Sequence, residues 1–176
     1  MPDEVPAIRI LPMSDKIEGF RDRSIEDVQT SVFLLDLPAC NGRFRYRSSG
    51  LNADRGTLVL FQFRARIIAS ALFVRDEPFE RLRDGCAGAM HIDAASIRTF
   101  DALDVNAMRK IWLRFRAFGH VKQRLNPTVF EDFEKSLKNV QSPRVALSRP
   151  SAESSRQPKA RTSRSANKPT ARKRSP

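Results

Sequence analysis

Two apolar segments of strand length lie almost side by side in the chain, with only three residues between them. TLVLFQF covers Thr57–Phe63, IIASALFV covers Ile67–Val74, and the tripeptide RAR separates them. Each segment is short for a buried helix and has the aliphatic and aromatic content of a buried strand. Three residues can close an antiparallel hairpin, although this turn lacks the glycine that such turns favour. The two segments therefore predict a β-hairpin at the centre of a sheet.

Further strand signals lie on both sides of this hairpin. SVFLLDL, at Ser31–Leu37, is continuously apolar and is predicted to be a buried strand. RFRYR, at Arg43–Arg47, alternates strictly, so that its arginines point to one side and its aromatic residues to the other. Weaker strand candidates follow at Ala89–Ile92 and Ser96–Phe100, and a short extended segment is expected within Phe118–Leu125.

Two helices are predicted late in the chain. The first follows the capping residue Asp104, and the second opens with Asn126-Pro127, where asparagine caps and proline needs no donor. Helical spacing places their apolar residues on one side each: Val105, Met108, Ile111, Trp112 and Phe115, then Val129, Phe130, Phe133 and Leu137. Strands do not alternate with helices, which excludes a doubly wound parallel sheet. The predicted fold is α+β, a small β-barrel or curved mixed sheet of about five or six strands flanked by helices.

The composition divides the chain into three parts. Residues 1–30 are predicted to be an N-terminal extension, because three prolines argue against regular structure before Met13. A short helix could follow, with Ser14 or Asp15 as its cap. Residues 31–140 hold the strand and helix signals and are predicted to form the folded domain.

Most of the positive charge lies in the remaining part, residues 141–176. This tail has ten basic residues and one acidic residue, so that it carries +9 of the net charge of +12. It is rich in Ser, Pro, Ala and Arg and has too few large apolar residues to bury a core, which predicts a disordered segment. A basic disordered arm adds sequence-independent affinity for phosphates. The alternative is an extension that only increases solubility.

Several classes of protein are excluded by the sequence. No apolar run reaches the roughly 18 residues of a membrane-spanning helix. Asp3 and Glu4 stand where a secretory signal has basic residues, and two cysteines do not make a disulfide framework, so we expect a cytoplasmic protein. The chain lacks a phosphate-binding glycine loop, a nucleophile elbow and metal-ligand spacings. We therefore expect a non-catalytic protein with no metal and no cofactor.

The order of these motifs resembles the PUA-like superfamily, in particular its EVE and ASCH branches. The stretch GLNADRGTLVLFQFRARIIASALFV is similar to the family's G-x-L-V-L-F strand and the returning I-x-A-x-A-x-V strand. VKQRLNPTVFEDF is similar to its closing segment, in which Gln, Leu, Pro and an aromatic residue follow in this order. The matching positions are Gly56, Leu58, Leu60, Phe61, Ile67, Ala69, Ala71, Phe73, Gln123, Leu125, Pro127 and Phe130. The resemblance implies a pseudo-barrel whose concave face binds RNA or a flipped, often modified, DNA base. Related modules attached to restriction enzymes imply a nuclease or another chain as a partner.

Basic residues on two predicted strands are the candidates for phosphate contacts. Arg43, Arg45 and Arg47 form a ribbon that could lie along a nucleic-acid backbone, and Lys122 and Arg124 form a second cationic edge. The alternative for both is an edge strand whose charges prevent pairing with another sheet.

A base pocket needs an aromatic surface and hydrogen-bonding groups. Tyr46 is the preferred aromatic residue, with Phe44 beside it, because the helical spacing of Trp112 favours core packing over ligand stacking. The amides and hydroxyls near the relevant strands are Asn41, Ser48, Asn52 and Gln62. The expected function is thus nucleic-acid binding, DNA or RNA. The alternative is a small-molecule or protein-interaction domain with a solubilising tail.

Overall fold

A mixed seven-stranded sheet with three helices forms the α+β fold of the protein. The computed structural model describes residues 7–15 and 20–143. Its strands are β1 (Ile8–Pro12), β2 (Arg43–Tyr46), β3 (Leu58–Phe63), β4 (Arg66–Arg83), β5 (Cys86–Ile92), β6 (Arg98–Leu103) and β7 (Gln123–Leu125). The helices are α1 (residues 25–39), α2 (Val105–Ile111) and α3 (Phe130–Ser136). The α+β class with a mixed sheet is confirmed, with one strand more than the upper number predicted.

The sheet is open, and its strands run in the order β2-β5-β4-β3-β1-β7, with β6 also paired to β4. Only β1 and β3 are parallel; the other pairs are antiparallel. The long strand β4 pairs with β3 and β6 through its first residues and with β5 through its later ones. A single strand therefore connects the two halves of the sheet.

The predicted hairpin is confirmed as β3 and β4. Its tip is formed by Arg64 and Ala65, both with positive φ, 48° and 55°. Two successive positive φ angles are what a type I′ hairpin turn requires. The turn therefore forms without glycine, and Arg64 and Ala65 adopt a strained backbone conformation in it. The second strand continues past its predicted end at Val74 as far as Arg83.

The prediction of a buried strand at Ser31–Leu37 is wrong, because these residues are helical. Helix α1 starts with a capping box in which Ser24 and Asp27 satisfy each other's backbone amides. It continues as a π-helix over Gln29–Asp36 and ends at Ala39. Val28, Phe33 and Leu37 are its buried residues. A continuous apolar run suits a buried helix as well as a strand, and the cap upstream decided the outcome.

The prediction of no regular structure before Met13 is also wrong. Ile8–Pro12 is a strand inside the sheet, parallel to β3 and antiparallel to β7. Burial of Ile8 and Ile10 stabilises it, and its only proline is its last residue. The short helix predicted after Ser14 falls partly on residues 16–19, which lie outside the described residues.

The two late helices are confirmed, with the caps that the sequence indicates. The side chain of Asp104 accepts a hydrogen bond from the Ala107 amide at 2.8 Å, and Asn126 accepts one from Thr128 at 3.0 Å. The first helix ends at Ile111, earlier than its apolar pattern extends, although Trp112 and Phe115 beyond it are buried.

The core consists of two hydrophobic clusters on opposite faces of the sheet. Val59 and Phe61 of β3 belong to the cluster with α1, where Phe33 packs edge-on against Phe61 at 4.8 Å. Leu58 and Leu60 belong to the cluster with α2 and α3, which contains Phe133. This alternation follows from the pleat of a strand with both faces covered.

The folded part reaches slightly past residue 140. Gln141 exchanges two backbone hydrogen bonds with Thr99, of 2.9 and 2.8 Å, and Pro143 is buried. The prediction of a disordered tail concerns residues that, from Arg144 onward, lie outside those described. Among the helices of the described ranges, none has the length and apolar character needed to cross a membrane.

Candidate functional site

A cavity of about 880 Å³ lies beside Tyr46, between the two terminal strands of the sheet. Strand β2 and the residues after it form one wall. The end of β1 and residues 120–122, just before β7, form the other. The cavity brings together the aromatic ribbon residues and part of both predicted cationic edges.

Tyr46 and Phe44, the aromatic candidates, both line this cavity, but they have different surroundings. Phe44 packs against the core, with its ring 5.8 Å from that of Phe61. Tyr46 lies across Gly88, where any side chain would overlap the phenol. Burial of the hydroxyl raises the pKa of Tyr46, and the negative charges of Asp76 and Glu77 raise it further. The phenol is therefore neutral at physiological pH and can donate a hydrogen bond.

The ribbon arginines are not equivalent. Arg43 is half-buried and donates two hydrogen bonds to Glu77, of 3.3 and 3.0 Å. Arg45 is exposed and contacts Asp84 at 2.9 Å. Arg47 is exposed and forms no ion pair with any residue in the described part of the chain. Of the three predicted phosphate contacts, Arg43 is thus used for structure and Arg47 is the most available.

Glu77 holds this corner of the sheet through ionic contacts, which predicts a specific acid sensitivity. Hydrogen bonds from His91, at 2.6 Å, and then from Arg43 lower the pKa of Glu77 from 4.5 to about 2. A lowered pKa means that the stabilisation is complete above pH 4.5 and is lost as the pH falls towards 2. We expect Glu77→Gln to have a lower thermal unfolding midpoint than wild type at pH 7. The two midpoints should approach each other as the pH falls towards 2.

The matched control for this pH dependence is Glu80→Gln, on the same strand. Glu80 is exposed and has no ion pair among the described residues, so its replacement is expected to leave the profile unchanged. If the thermal midpoints of Glu77→Gln and wild type differ by the same amount at every pH, the role given to the ionised Glu77 is contradicted.

Lys122 and Arg124, predicted as one cationic edge, face different parts of the surface. The ammonium of Lys122 donates to the carbonyl and hydroxyl of Ser49, at 2.7 and 3.0 Å, and to the carbonyl of Gly50. Burial lowers the pKa of Lys122, and Asp76 partly opposes this shift. All three donors of the ammonium are therefore used to join the two ends of the sheet. Arg124 lies outside the Tyr46 cavity, opposite Arg9 on β1.

The amide and hydroxyl candidates for the base pocket are only partly brought together. Ser48 is exposed and lines the Tyr46 cavity. Asn41 lies in the turn after α1, with a φ of 52°, and Asn52 lines the neighbouring cavity near Arg9. Gln62 is buried, donates to the carbonyl of Gly119 at 3.2 Å and does not line the Tyr46 cavity. Asn41, Asn52 and Gln62 are therefore not part of this pocket.

Trp112 is also separate from the Tyr46 cavity, as its helical spacing favoured. It is buried in the cluster on the α2 face, stacks near Phe133 at 5.6 Å, and donates its indole hydrogen to the carbonyl of Asn126 at 2.8 Å. Trp112 therefore does not line the cavity beside Tyr46.

Two groups important to the surface were missed by the sequence reasoning. Arg9 was missed because the N-terminal prolines obscured β1, although the alternation Ile8-Arg9-Ile10 was a usable signal. The partners of the ribbon, Glu77 and Asp84, were missed because they lie 34 and 39 residues further along the chain.

Other chemistry is not indicated by the described residues. Within 7–15 and 20–143, no group of three His, Cys, Asp or Glu residues is arranged to hold a metal ion. Both cysteines are free, Cys40 being exposed and Cys86 half-buried. Comparison of the chain with protein-family models, curated proteins and solved structures found no match.

Proposed function

We propose that this protein is a non-catalytic nucleic-acid-binding module that accepts a flipped or modified base in the cavity beside Tyr46. The observation that carries the proposal is the position of this cavity. It is open, it contains an aromatic ring with a neutral hydroxyl, and basic residues surround its entrance. A planar base removed from its stack needs such a surface, because stacking on an aromatic ring and hydrogen bonds to its edge replace the lost partners.

Some groups around the cavity suit contacts with a base, and others suit contacts with the phosphates of the nucleic acid. The phenol of Tyr46 and the hydroxyl of Ser48 are the hydrogen-bonding groups nearest to a bound ring. Arg47 is available for a phosphate. Arg45 can exchange its exposed contact with Asp84 for one, since surface ion pairs contribute little stability. His120, exposed on the opposite wall, adds a donor.

A PUA-like pseudo-barrel is the finer architecture that fits this proposal. Support comes from the way the sheet ends approach each other: β2 and the segment before β7 line one cavity, and Lys122 joins the segment to residues 49–50. In such a curved sheet, the hollow rather than a flat face receives the ligand. The basic tail then adds affinity for phosphates outside the pocket.

Replacement of Tyr46 tests the base pocket. We expect Tyr46→Leu to weaken binding of single-stranded oligonucleotides about tenfold, because stacking on one base contributes roughly 1–3 kcal/mol. Tyr46→Phe keeps the ring and is expected to stay close to wild type in affinity while losing preference among bases. The measurement is fluorescence anisotropy with DNA and RNA oligonucleotides, with and without modified cytosines, at two salt concentrations.

The control for this test is Leu82→Ala, which changes an exposed apolar residue away from the cavity. Equal affinity of wild type and Tyr46→Leu for every oligonucleotide would contradict the base pocket. A complete lack of nucleic-acid binding at low salt would instead favour a small-molecule or protein-interaction domain. The internal use of Arg43 and Lys122 is the observation that speaks for this second function.

A further inference from the structure

A second cavity, separate from the one beside Tyr46, lies where β1 and β7 pair. Its volume is about 450 Å³, and it is lined by Arg9, Arg124, Thr57 and the loop that contains Asn52 and Asp54. The contacts between Lys122 and residues 49–50 lie between the two cavities. This second site has two features that the fold by itself does not require.

The first feature is a pair of guanidinium groups that form no ion pair with a described residue, although the carboxylate of Asp54 lines the same cavity. Arg9 and Arg124 are directly opposite each other in the antiparallel pair of β1 and β7. Like charges in this position destabilise a sheet. Neither side chain forms an ion pair with a described residue, and among the described residues Arg9 donates one long hydrogen bond, 3.4 Å, to the carbonyl of Asn52. Burial and then the charge of Arg124 lower the pKa of Arg9, which Asp54 partly offsets.

The second feature is a buried hydroxyl without a partner. Thr57 is only 2% exposed, it lines the same cavity, and its Oγ1 has no hydrogen-bond partner in the described residues. Leaving a buried polar group unsatisfied is costly, and nearly all such groups in native proteins have a partner. An acceptor at this position would satisfy the hydroxyl and would also neutralise the two cations.

We infer that this cavity is a binding site for a phosphate group, held by Arg9 and Arg124 and by the hydroxyl of Thr57. Donor groups from β1, from β7 and from Thr57, the residue before β3, line the same cavity, and three donors suit a tetrahedral anion with oxygens in several directions better than a planar carboxylate. Arginine also matches phosphate through two parallel N–H donors. The inference goes beyond the proposed function, because it requires no base and does not depend on Tyr46.

The test is isothermal titration calorimetry of the full chain with inorganic phosphate. Added chloride salt keeps the ionic strength constant. Wild type is expected to bind phosphate, and Arg124→Gln and Thr57→Val are each expected to weaken binding about tenfold, the value of one charge-assisted hydrogen bond. Thr57→Ser keeps the hydroxyl and should bind like wild type. Arg75→Gln removes an exposed arginine on β4 and is the control for charge alone.

The variants are informative even if stability changes. Thr57→Val removes an unsatisfied hydroxyl while keeping the shape of the side chain, so its thermal midpoint is expected to match or exceed that of wild type. The tail is present in every variant, so any binding of phosphate to it cancels in the comparison. Phosphate binding that is equally tight in Arg124→Gln or in Thr57→Val would overturn the site, as would the absence of phosphate binding by wild type.

Competition identifies the source of the phosphate group. If a single-stranded oligonucleotide displaces inorganic phosphate from wild type, the site receives the backbone of a nucleic acid. If phosphate stays bound, the site receives free phosphate or a small phosphorylated compound. Tyr46→Leu is expected to bind inorganic phosphate like wild type, so that failure of the base pocket and failure of this site give different results.

Discussion

A chain that ends at Pro143 is expected to bind oligonucleotides about 100-fold more weakly than the full chain at low salt. The deleted residues 144–176 contain ten basic residues and one acidic residue. Each phosphate contact made by a basic residue releases counterions, so the logarithm of affinity falls linearly with the logarithm of salt concentration. The truncated chain should therefore show a much shallower salt dependence, measured by anisotropy from about 50 to 200 mM salt. Truncation after Pro143 keeps Gln141, which pairs with Thr99.

A full-length chain in which the ten basic residues of the tail become glutamine separates charge from length. It is expected to match the truncated chain in both affinity and salt slope. Unchanged affinity in both variants would show that the tail only increases solubility. Any preference for a modified base should survive in both, because the tail adds affinity without reading bases.

The second large effect is expected at the end of α1, where Gly42→Ala should destabilise the fold by about 3 kcal/mol. Gly42 has a φ of +72°, and a Cβ there would overlap the carbonyl oxygen of Ile92 on β5. The same backbone donates to Leu37 at 2.7 Å and accepts from Ile92 at 2.9 Å, which fixes the start of β2. Urea denaturation followed by far-UV circular dichroism measures the loss.

Gly85→Ala is the matched control for this change. Gly85 also has a φ of +72°, but no atom lies within 4 Å of the Cβ that would be added. Gly85→Ala should therefore destabilise the fold only by the energy of placing alanine in the left-handed backbone conformation, about 1 kcal/mol. Equal losses for the two variants would mean that the contact with Ile92 does not contribute.

Local signals in the sequence predicted those parts of the fold that depend on neighbouring residues. The β3–β4 hairpin, the strand at β2 and the caps Asp104 and Asn126 all follow from spacing within a few residues. The strand β1 did not, because its stability comes from parallel pairing with β3, about fifty residues further along the chain. Parallel pairing leaves no turn signal in the sequence.

The error at Ser31–Leu37 has a related cause. A short segment of mostly apolar residues buries equally well as a strand or as part of a helix covered on several sides. The capping box at Ser24 lies about two helical turns upstream of Ser31 and was the deciding signal. The exposure of Leu35, 61%, shows that this segment is not covered on all sides.

The candidate site was predicted in its aromatic part and less well in its charges. Alternation alone brought Phe44 and Tyr46 to one side of β2. Whether an arginine of the ribbon is free to bind a phosphate depends on acidic residues that are distant in the sequence. Glu77 lies on the extension of β4 and Asp84 directly after it, and no local pattern predicted this extension. Ion pairs between residues so far apart in the sequence form only in the folded chain, so local sequence patterns do not predict them.

The short strand β1 has a consequence for any ligand that reaches both cavities. Ile8 and Arg9 line the cavity where β1 and β7 pair, whereas Leu11 and Pro12 line the one beside Tyr46. Since a strand advances about 3.3 Å per residue, the three steps from Arg9 to Pro12 separate the two sites by about 10 Å. Pairing with β3 along the whole of β1, and with β7 over Ile8–Ile10, fixes this spacing. A molecule that occupies both must match that span, which makes ligand length a criterion of selection alongside charge and ring shape.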